Sequence, residues 1–276
     1  MSTPENAQLE RWLRFRNSRN TALAKEHGWL TLTSLQWLPA EPSPLELVPG
    51  LWSTDGTKAV LTAAAADGLT LVETGEPVEG TLTASLANEE SLMWVAFGGE
   101  DGRRVVVELA VRGDRYAIRT RDSRSPVFTE FEGVPTFDYR PELAVLARFE
   151  RYPEPVDVPI GTANPLVDGV HRSAGELVFR LPGIDHEYRL QAEEGKLGAL
   201  TVTFHDKTNG ETTDDWRKVE TGRPRPDGTV VLDFNRAINY PSAFTPYGTC
   251  AMPVRNNSLD VEIEAGEKAF DIQPAG

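Results

Sequence analysis

The spacing of apolar residues changes period once along this chain, at Gly28. Before it, Leu9, Trp12, Leu13 and Leu23 fall at roughly helical intervals. Thr3 suits a cap, Pro4 a first turn and Glu5 the positive end of a helix. The pattern predicts a helix over residues 3–27 that Gly28 stops, broken where the run from Arg14 to Asn20 turns polar. Arg11, Arg14, Arg16 and Arg19 read as a solvated face of that helix. After Gly28 the period becomes two. Residues 29–38 alternate, and residues 39–57 are rich in Pro, Gly and Ser and read as loop. Short apolar runs then recur at 59–63, 69–73, 80–85, 92–97, 104–112 and 116–121, with turn pairs such as Asp67-Gly68, Gly98-Gly99, Asp101-Gly102 and Gly113-Asp114 between them. The run 92–97 is apolar on both faces and is expected to be the covered central strand. Pro126, Pro135 and Pro141 mark a boundary, and a second series follows at 143–151, 156–162, 176–181, 186–192, 200–205, 216–220, 229–235 and 259–263.

Short strands at this spacing, with almost no helix between them, define the expected fold class. It is all-β: two antiparallel β-sandwich/barrel domains with an N-terminal helix, divided as residues 1–28, 29–125 and 126–276. The last domain carries Asp233-Phe234-Asn235-Arg236.

Composition narrows the function classes. The 276 residues are 39% hydrophobic and 25% charged, as in a soluble globular protein. A net charge of −14 works against nucleic acid and against anionic membrane surfaces, so neither is an expected partner. One cysteine excludes an internal disulfide and a multi-cysteine zinc site, and fits a reducing cytoplasm. The N-terminus has no apolar signal region, and no run reaches the ~18–20 apolar residues of a membrane helix. The expected location is cytoplasmic. No phosphate loop, dinucleotide fingerprint or Gly-x-Ser-x-Gly occurs, and no cofactor is expected.

The densest chemistry lies from Val230 to Cys250. With residues 230–235 as a strand, Val230, Leu232 and Phe234 face one way, and Val231, Asp233 and Asn235 the other. Asp233 and Asn235 then stand side by side and need partners, with Arg217, Arg223 and Arg236 as candidate counter-charges. Two readings stay open here, an internal polar network that locks the following loop and a ligand-facing wall. In the run 200–205, Thr201, Thr203 and His205 leave the core face. A metal would need His186, His205 and a carboxylate such as Asp206, Asp214 or Asp233 to converge, without any recognised ligand spacing. Cys250 lacks a nucleophile signature and reads as a small buried hydrophobe.

At these residues the chain resembles a bacterial and archaeal family known as domain of unknown function 1684. The resemblance rests on Gly28-Trp29-Leu30-Thr31-Leu32, on Ile118-Arg119-Thr120-Arg121-Asp122, and most specifically on Leu232-Asp233-Phe234-Asn235-Arg236-Ala237 with Asn239, Tyr247 and Cys250. It continues through Asn257-Ser258-Leu259 and Ala265-Gly266-Glu267-Lys268. The resemblance implies an all-β fold and assigns no residue a role. This chain has Tyr240-Pro241-Ser242 where the family has Pro-Pro-Cys, so a shared cysteine pair cannot operate. Residues 39–51 replace a forkhead-associated-like stretch of other members, so phosphopeptide binding is not expected.

Two functions follow as expectations. The first is a small polar ligand held in a pocket of the C-terminal β domain, walled by Asp233, Asn235, Arg236, Asn239, Arg217, His205, Tyr247 and Asn257. The second is a protein-interaction module in which the motif is structural. Burial discriminates them: if Asp233, Asn235 and Arg236 are fully buried and satisfied by one another, with no cavity beside them, the pocket reading fails.

Overall fold

The structure is a computed structural model that describes residues 4–98 and 102–271. Thr3, Gly99 and Asp101 lie outside the described residues, as do the side chains of Pro4 and Glu5. The chain is predominantly β, with antiparallel ladders and one long N-terminal helix, as an all-β class requires. It divides into two compact units. One takes in Leu23–Phe131. The other takes in the chain up to Ala22 and again from Glu132 to the end of the described residues.

The Leu23–Phe131 unit contains β1 (Leu32–Trp37), β2 (Ser43–Leu45), β3 (Val48–Thr54), β4 (Ala59–Ala63), β5 (Thr70–Leu71), β6 (Gly80–Ala84), β7 (Ser91–Phe97), β8 (Val105–Arg112) and β9 (Arg115–Asp122). One sheet runs β1-β9-β8-β7-β5 and the other β2-β3-β4-β6. The stretch read as loop thus holds β2 and β3. Trp52 of β3 is fully buried edge-on to Trp94 at 5.8 Å, and that burial outweighs the turn-forming Pro49 and Gly50. The covered strand is β8 rather than β7: residues 105–111 are all buried, whereas Leu92 and Met93 are exposed. One charge sits inside β8. Glu108 accepts from Nε and Nη2 of Arg121 at 2.8 and 2.6 Å and faces Arg119 at 3.5 Å. Those two arginines hold its carboxyl below the usual range against the upward push of burial.

The second unit opens with α1 (Pro4–Leu23). The helix continues through the polar run where a break was expected, because that run is what docks it. Arg16 is buried rather than solvated and donates to Glu267 Oε1 at 2.7 Å and to the Val134 carbonyl at 3.2 Å. Arg19 donates to Glu267 Oε1 and to the Asn239 carbonyl. Leu9 and Leu13, the expected apolar contacts, are 38% and 46% exposed. A short α2 (Pro126–Thr129) lies in the other unit.

The strands of the second unit are β10 (Ala144–Ile160), β11 (Gly169–Phe179), β12 (Tyr188–Glu194), β13 (Leu200–Phe204), β14 (Arg217–Glu220), β15 (Thr229–Asp233) and β16 (Ile238–Asn239). They form one sheet ordered β15-β10-β11-β12-β13-β14-β16. Its two outermost strands, β15 and β16, are separated in the chain by only four residues, Phe234–Ala237. The five steps from Asp233 to Ile238 span at most ~18 Å, so the sheet must curl to bring its two edges close together. Phe234 fills the interior at the closure, fully buried and 5.5 Å from the Phe204 ring. Leu177, Leu190, Leu200, Val202, Val219 and Leu232 complete this core. The expected strand at 259–263 is absent. The Leu259 amide and the Val261 carbonyl pair with the backbone of His205 and Lys207 instead, and side chains take Ile263, whose amide donates to Asp206 and whose carbonyl accepts from Arg217.

Candidate functional site

The alternation predicted for residues 230–235 stops one turn early. β15 ends at Asp233, and Phe234–Arg236 form a single 3₁₀ turn. Asp233 and Asn235 are still brought together: Asp233 Oδ1 accepts from the Asn235 amide at 3.1 Å and from Asn235 Nδ2 at 2.9 Å, capping the turn. The expected arginine counter-charges go elsewhere. Arg236 is exposed, with its guanidinium 4.4 Å from the Phe15 ring, beside a small cavity of about 270 Å³. Arg223 lies near Gly198. Arg217 is fully buried and pairs with Asp206 at 2.7 Å. It also donates to the carbonyls of Ile263, Ala265 and Glu267. Burial pulls its pKa down and Asp206 opposes that, so the pair stands or falls together.

Three asparagines of the motif region act as spare peptide groups. Asn235 accepts from the Arg140 amide and donates to the Arg140 carbonyl, both at 2.8 Å. Asn239 donates to the Lys268 carbonyl at 2.8 Å, and its own amide donates to Glu267 Oε2 at 2.7 Å. Asn257 accepts from the Gln191 amide at 2.7 Å and donates to the carbonyls of Gln191 and Thr203 at 2.8 and 2.9 Å. The β12–β13 pairing of Glu193 with Thr201 would next place Gln191 opposite Thr203. Asn257 occupies that position and substitutes for the missing ladder bonds. The C-terminal segment presses on the closure itself: a Cβ at Gly266, whose φ is +78°, would lie 2.5 Å from the Ala237 carbonyl. Asn235, Asn239, Arg217 and Asn257 are therefore buried among backbone groups of their own unit.

His205 and Tyr247 lie in a different neighbourhood. His205 Nδ1 donates to the Asp215 carbonyl at 2.9 Å, and the ring stands edge-on to Trp216 at 6.4 Å. Trp216 belongs to a pocket of about 310 Å³ lined by Ala163, Asp214, Asp215, Trp216, Ser242, Thr245, Pro246 and Met252. The Tyr247 amide donates to Thr245 Oγ1 at 3.3 Å, on the same loop.

Each wall of this pocket has a local cause. The turn at 206–213 is cross-braced: Asp206 accepts from the Thr208 amide and hydroxyl, and Thr208 bonds Thr213 at 2.8 Å. Asn209 Nδ2 then ties down the Asp214 carbonyl at 2.7 Å. The second wall follows β10, where the Ala163 and Met252 amides donate to the carbonyls of Cys250 and Gly161 at 2.8 and 2.9 Å. The third is the Pro-stiffened turn Pro241–Ala243.

The chemistry in the pocket is concentrated. Burial pushes the Asp214 carboxyl up to about 6; the Asp215 backbone amide opposes the rise and the Asp215 charge adds to it. The Trp216 indole N–H and the Ser242 hydroxyl are buried and have no protein hydrogen-bond partner among the described residues. Tyr240, two residues before Ser242, has its phenol pushed up to about 12 by burial and bonds Thr203 at 2.6 Å. Among the described residues no group of three or more His, Cys, Asp or Glu is placed to hold a metal. Sequence reading missed Trp216, Thr245 and Met252, and named Asp214 only as a carboxylate that a metal site could use. The adjacent acids before a tryptophan were the available signal, and Ser242 had stood out only as a departure from a resemblance.

Fold and site together define an all-β protein with a curled antiparallel sheet and a small, partly buried acidic pocket. The family model of a protein of unknown function, DUF1684, matches residues 129–268, and the chain belongs to that family. A solution NMR structure of an uncharacterised protein from Haloarcula marismortui is similar at 28% identity, over 51% of this chain and 78% of that one, with a TM-score of 0.42. No curated protein matches the chain.

Proposed function

We propose that the unit built on the curled sheet binds a small polar molecule, and that the Asp214–Ser242 pocket takes it. The observation that supports this most is a raised-pKa carboxyl lining the same pocket as an indole N–H and a hydroxyl that have no protein partner among the described residues. Native interiors rarely leave such groups unmatched, and clefts that combine them with a perturbed carboxyl are where ligands bind. The complementary ligand is uncharged and of sugar or small-amide size. It offers hydroxyl or N–H donors to Asp214 and an acceptor to Trp216. Pro246 and Met252 supply apolar surface for its carbon skeleton.

The test uses protein labelled with ¹⁵N-tryptophan, titrated with a panel of monosaccharides, polyols, amides and nucleosides at millimolar concentration. The expected result is a saturable shift of the Trp216 indole resonance by one chemical class, weakened in Asp214→Asn while thermal stability is retained. A panel that leaves this resonance in place, or a hit bound equally well by Asp214→Asn, overturns the reading.

A further inference from the structure

A second concavity in the same unit lies away from the Asp214 pocket and has the opposite charge. It is a cleft of about 780 Å³, within the usual range for ligand sites, and its lining carries Arg151, Arg223 and Arg225 against a single carboxylate, Glu194. We infer that this cleft binds a small ligand through a terminal oxyanion, a phosphate monoester or a carboxylate attached to an apolar group.

The three arginines are positioned in different ways. Arg151 is locked: its two Nη atoms meet the two Glu194 oxygens at 2.6 Å each, and its guanidinium lies 5.1 Å from the Phe149 ring. Arg223 depends on a glycine. A Cβ at Gly198 would stand 3.2 and 3.3 Å from Arg223 Cγ and Cδ, so the bare backbone there lets the arginine stem lie flat across the turn. Arg225 sits in a turn closed by its own amide to the Thr229 carbonyl and by the Gly228 amide to its carbonyl. Pro224 and Pro226 flank it and lower the entropy lost when the segment is fixed by a ligand.

Partnering separates these side chains from several other surface cations of the same unit. Nearby, Arg148 meets Glu150, Arg189 meets Glu176, Arg172 meets Asp157 and Lys218 meets Glu220 within ion-pair distance. Among the described residues Arg223 makes no ion pair and no side-chain hydrogen bond, and the Arg225 guanidinium reaches only Thr229 Oγ1, at 3.4 Å. Asp227 does not neutralise them by contact, because its carboxylate accepts from the Thr229 amide and hydroxyl. Glu194 feels the charge of Arg223 and Asp227 that of Arg225, but neither carboxylate meets its guanidinium in a contact ion pair among the described residues, so both forks keep their donors open to the cleft. Such forks match the geometry of carboxylate and phosphate oxygens. Leu197, 93% exposed and held at φ +66°, presents an apolar side chain at the rim although this conformation is uncommon for any residue but glycine. It supplies the contact for the ligand's apolar end.

The experiment follows the arginine Nε–H resonances of the full chain at low ionic strength during titration with phenyl phosphate, inorganic phosphate and benzoate. Saturable shifts of the Arg223 and Arg225 signals are expected, with phenyl phosphate tighter than inorganic phosphate. Affinity should fall about tenfold or more in Arg223→Gln, and weaken with salt. Arg223 is exposed, so an unchanged melting temperature in the variant is expected to confirm that the fold is intact. Binding of both organic probes supports the shared oxyanion chemistry, and binding of one alone assigns the group. Saturation by none of the three, or equal affinity in an Arg223→Gln/Arg225→Gln double variant, overturns the inference.

Discussion

Replacing Asn257 by aspartate tests the idea that side-chain amides hold the curled sheet together where its ladders stop. The substitution keeps size and shape. It also keeps the acceptor that receives the Gln191 amide, and it removes the two donors that satisfy the carbonyls of Gln191 and Thr203. Asn257 is fully buried, so water does not take over. Each stranded carbonyl costs about 1–3 kcal/mol. At low pH the new carboxyl is protonated, donates one O–H and leaves one carbonyl stranded. Two nearby carbonyl oxygens and burial disfavour the ionised form, so the folded-state pKa rises above the unfolded value of about 3.9. The folded state then binds the extra proton, and stability is lost as pH rises: about 1.4 kcal/mol per pH unit above ~4 until the folded pKa is reached. The variant should therefore sit within about 1–3 kcal/mol of wild type at pH 4 and more than about 4 kcal/mol below it at pH 7. For a unit of this size that gap corresponds to roughly 10 °C or more in melting temperature. Calorimetry at both pH values measures it, and hydrogen exchange at the Gln191 amide locates it. A variant that melts with wild type at pH 7, or a deficit that fails to shrink on acidification, would refute the role assigned to Asn257.

Three other outcomes follow from the same geometry. Asp233→Ala removes the cap of one 3₁₀ turn and strands no arginine, so it should lower stability by only about 1 kcal/mol, a few degrees by calorimetry. Arg217→Met leaves the Asp206 carboxylate buried without its partner and should cost about 3–5 kcal/mol in urea denaturation, with part of the loss recovered by adding Asp206→Asn, which removes the stranded charge and keeps the acceptor for the Thr208 and Ile263 amides. Asp214 has a folded pKa raised above the unfolded value, so its contribution is fully present below about pH 4 and is lost as pH rises through about 6. Asp214→Asn should accordingly gain on wild type between those pH values, and carboxyl ¹³C titration of wild type should show Asp214 ionising near 6.

Much of the fold was readable because strand alternation survives wherever one face is buried. Val202 and Phe204 of β13, and Val230 and Leu232 of β15, point where period two places them. The reading failed where tertiary contacts outvote local pattern. Nothing in residues 4–23 announces that arginines rather than leucines dock α1, because Glu267 lies far along the chain. The 3₁₀ turn at Phe234 depends on Asn235 finding the Arg140 backbone, a partner 95 residues away. The motif was visible as a polar cluster, and sequence alone could not say whether it faces a cavity or the backbone. The Asp214 pocket was less visible still, since its walls come from residues near 163, 215, 242 and 252.

The closure at Phe234–Ala237 also bears on when this molecule can fold. Its outer cover comes from both ends of the chain: Trp12 donates to the Asn235 carbonyl at 2.9 Å, and the Glu267 amide donates to the Ala237 carbonyl at 2.9 Å. The Leu23–Phe131 unit is spliced between the helix and the sheet that the helix serves, and Asn20 meets the Val134 amide at 3.3 Å where the chain leaves and returns. During synthesis from the N-terminus, α1 must wait through the whole inserted unit and seven strands before the carboxylate that anchors it emerges. The intervening segment can close its own two sheets meanwhile, so the order of assembly is written into the topology. α1 is made before the elements that receive it and is among the last of them to find its place.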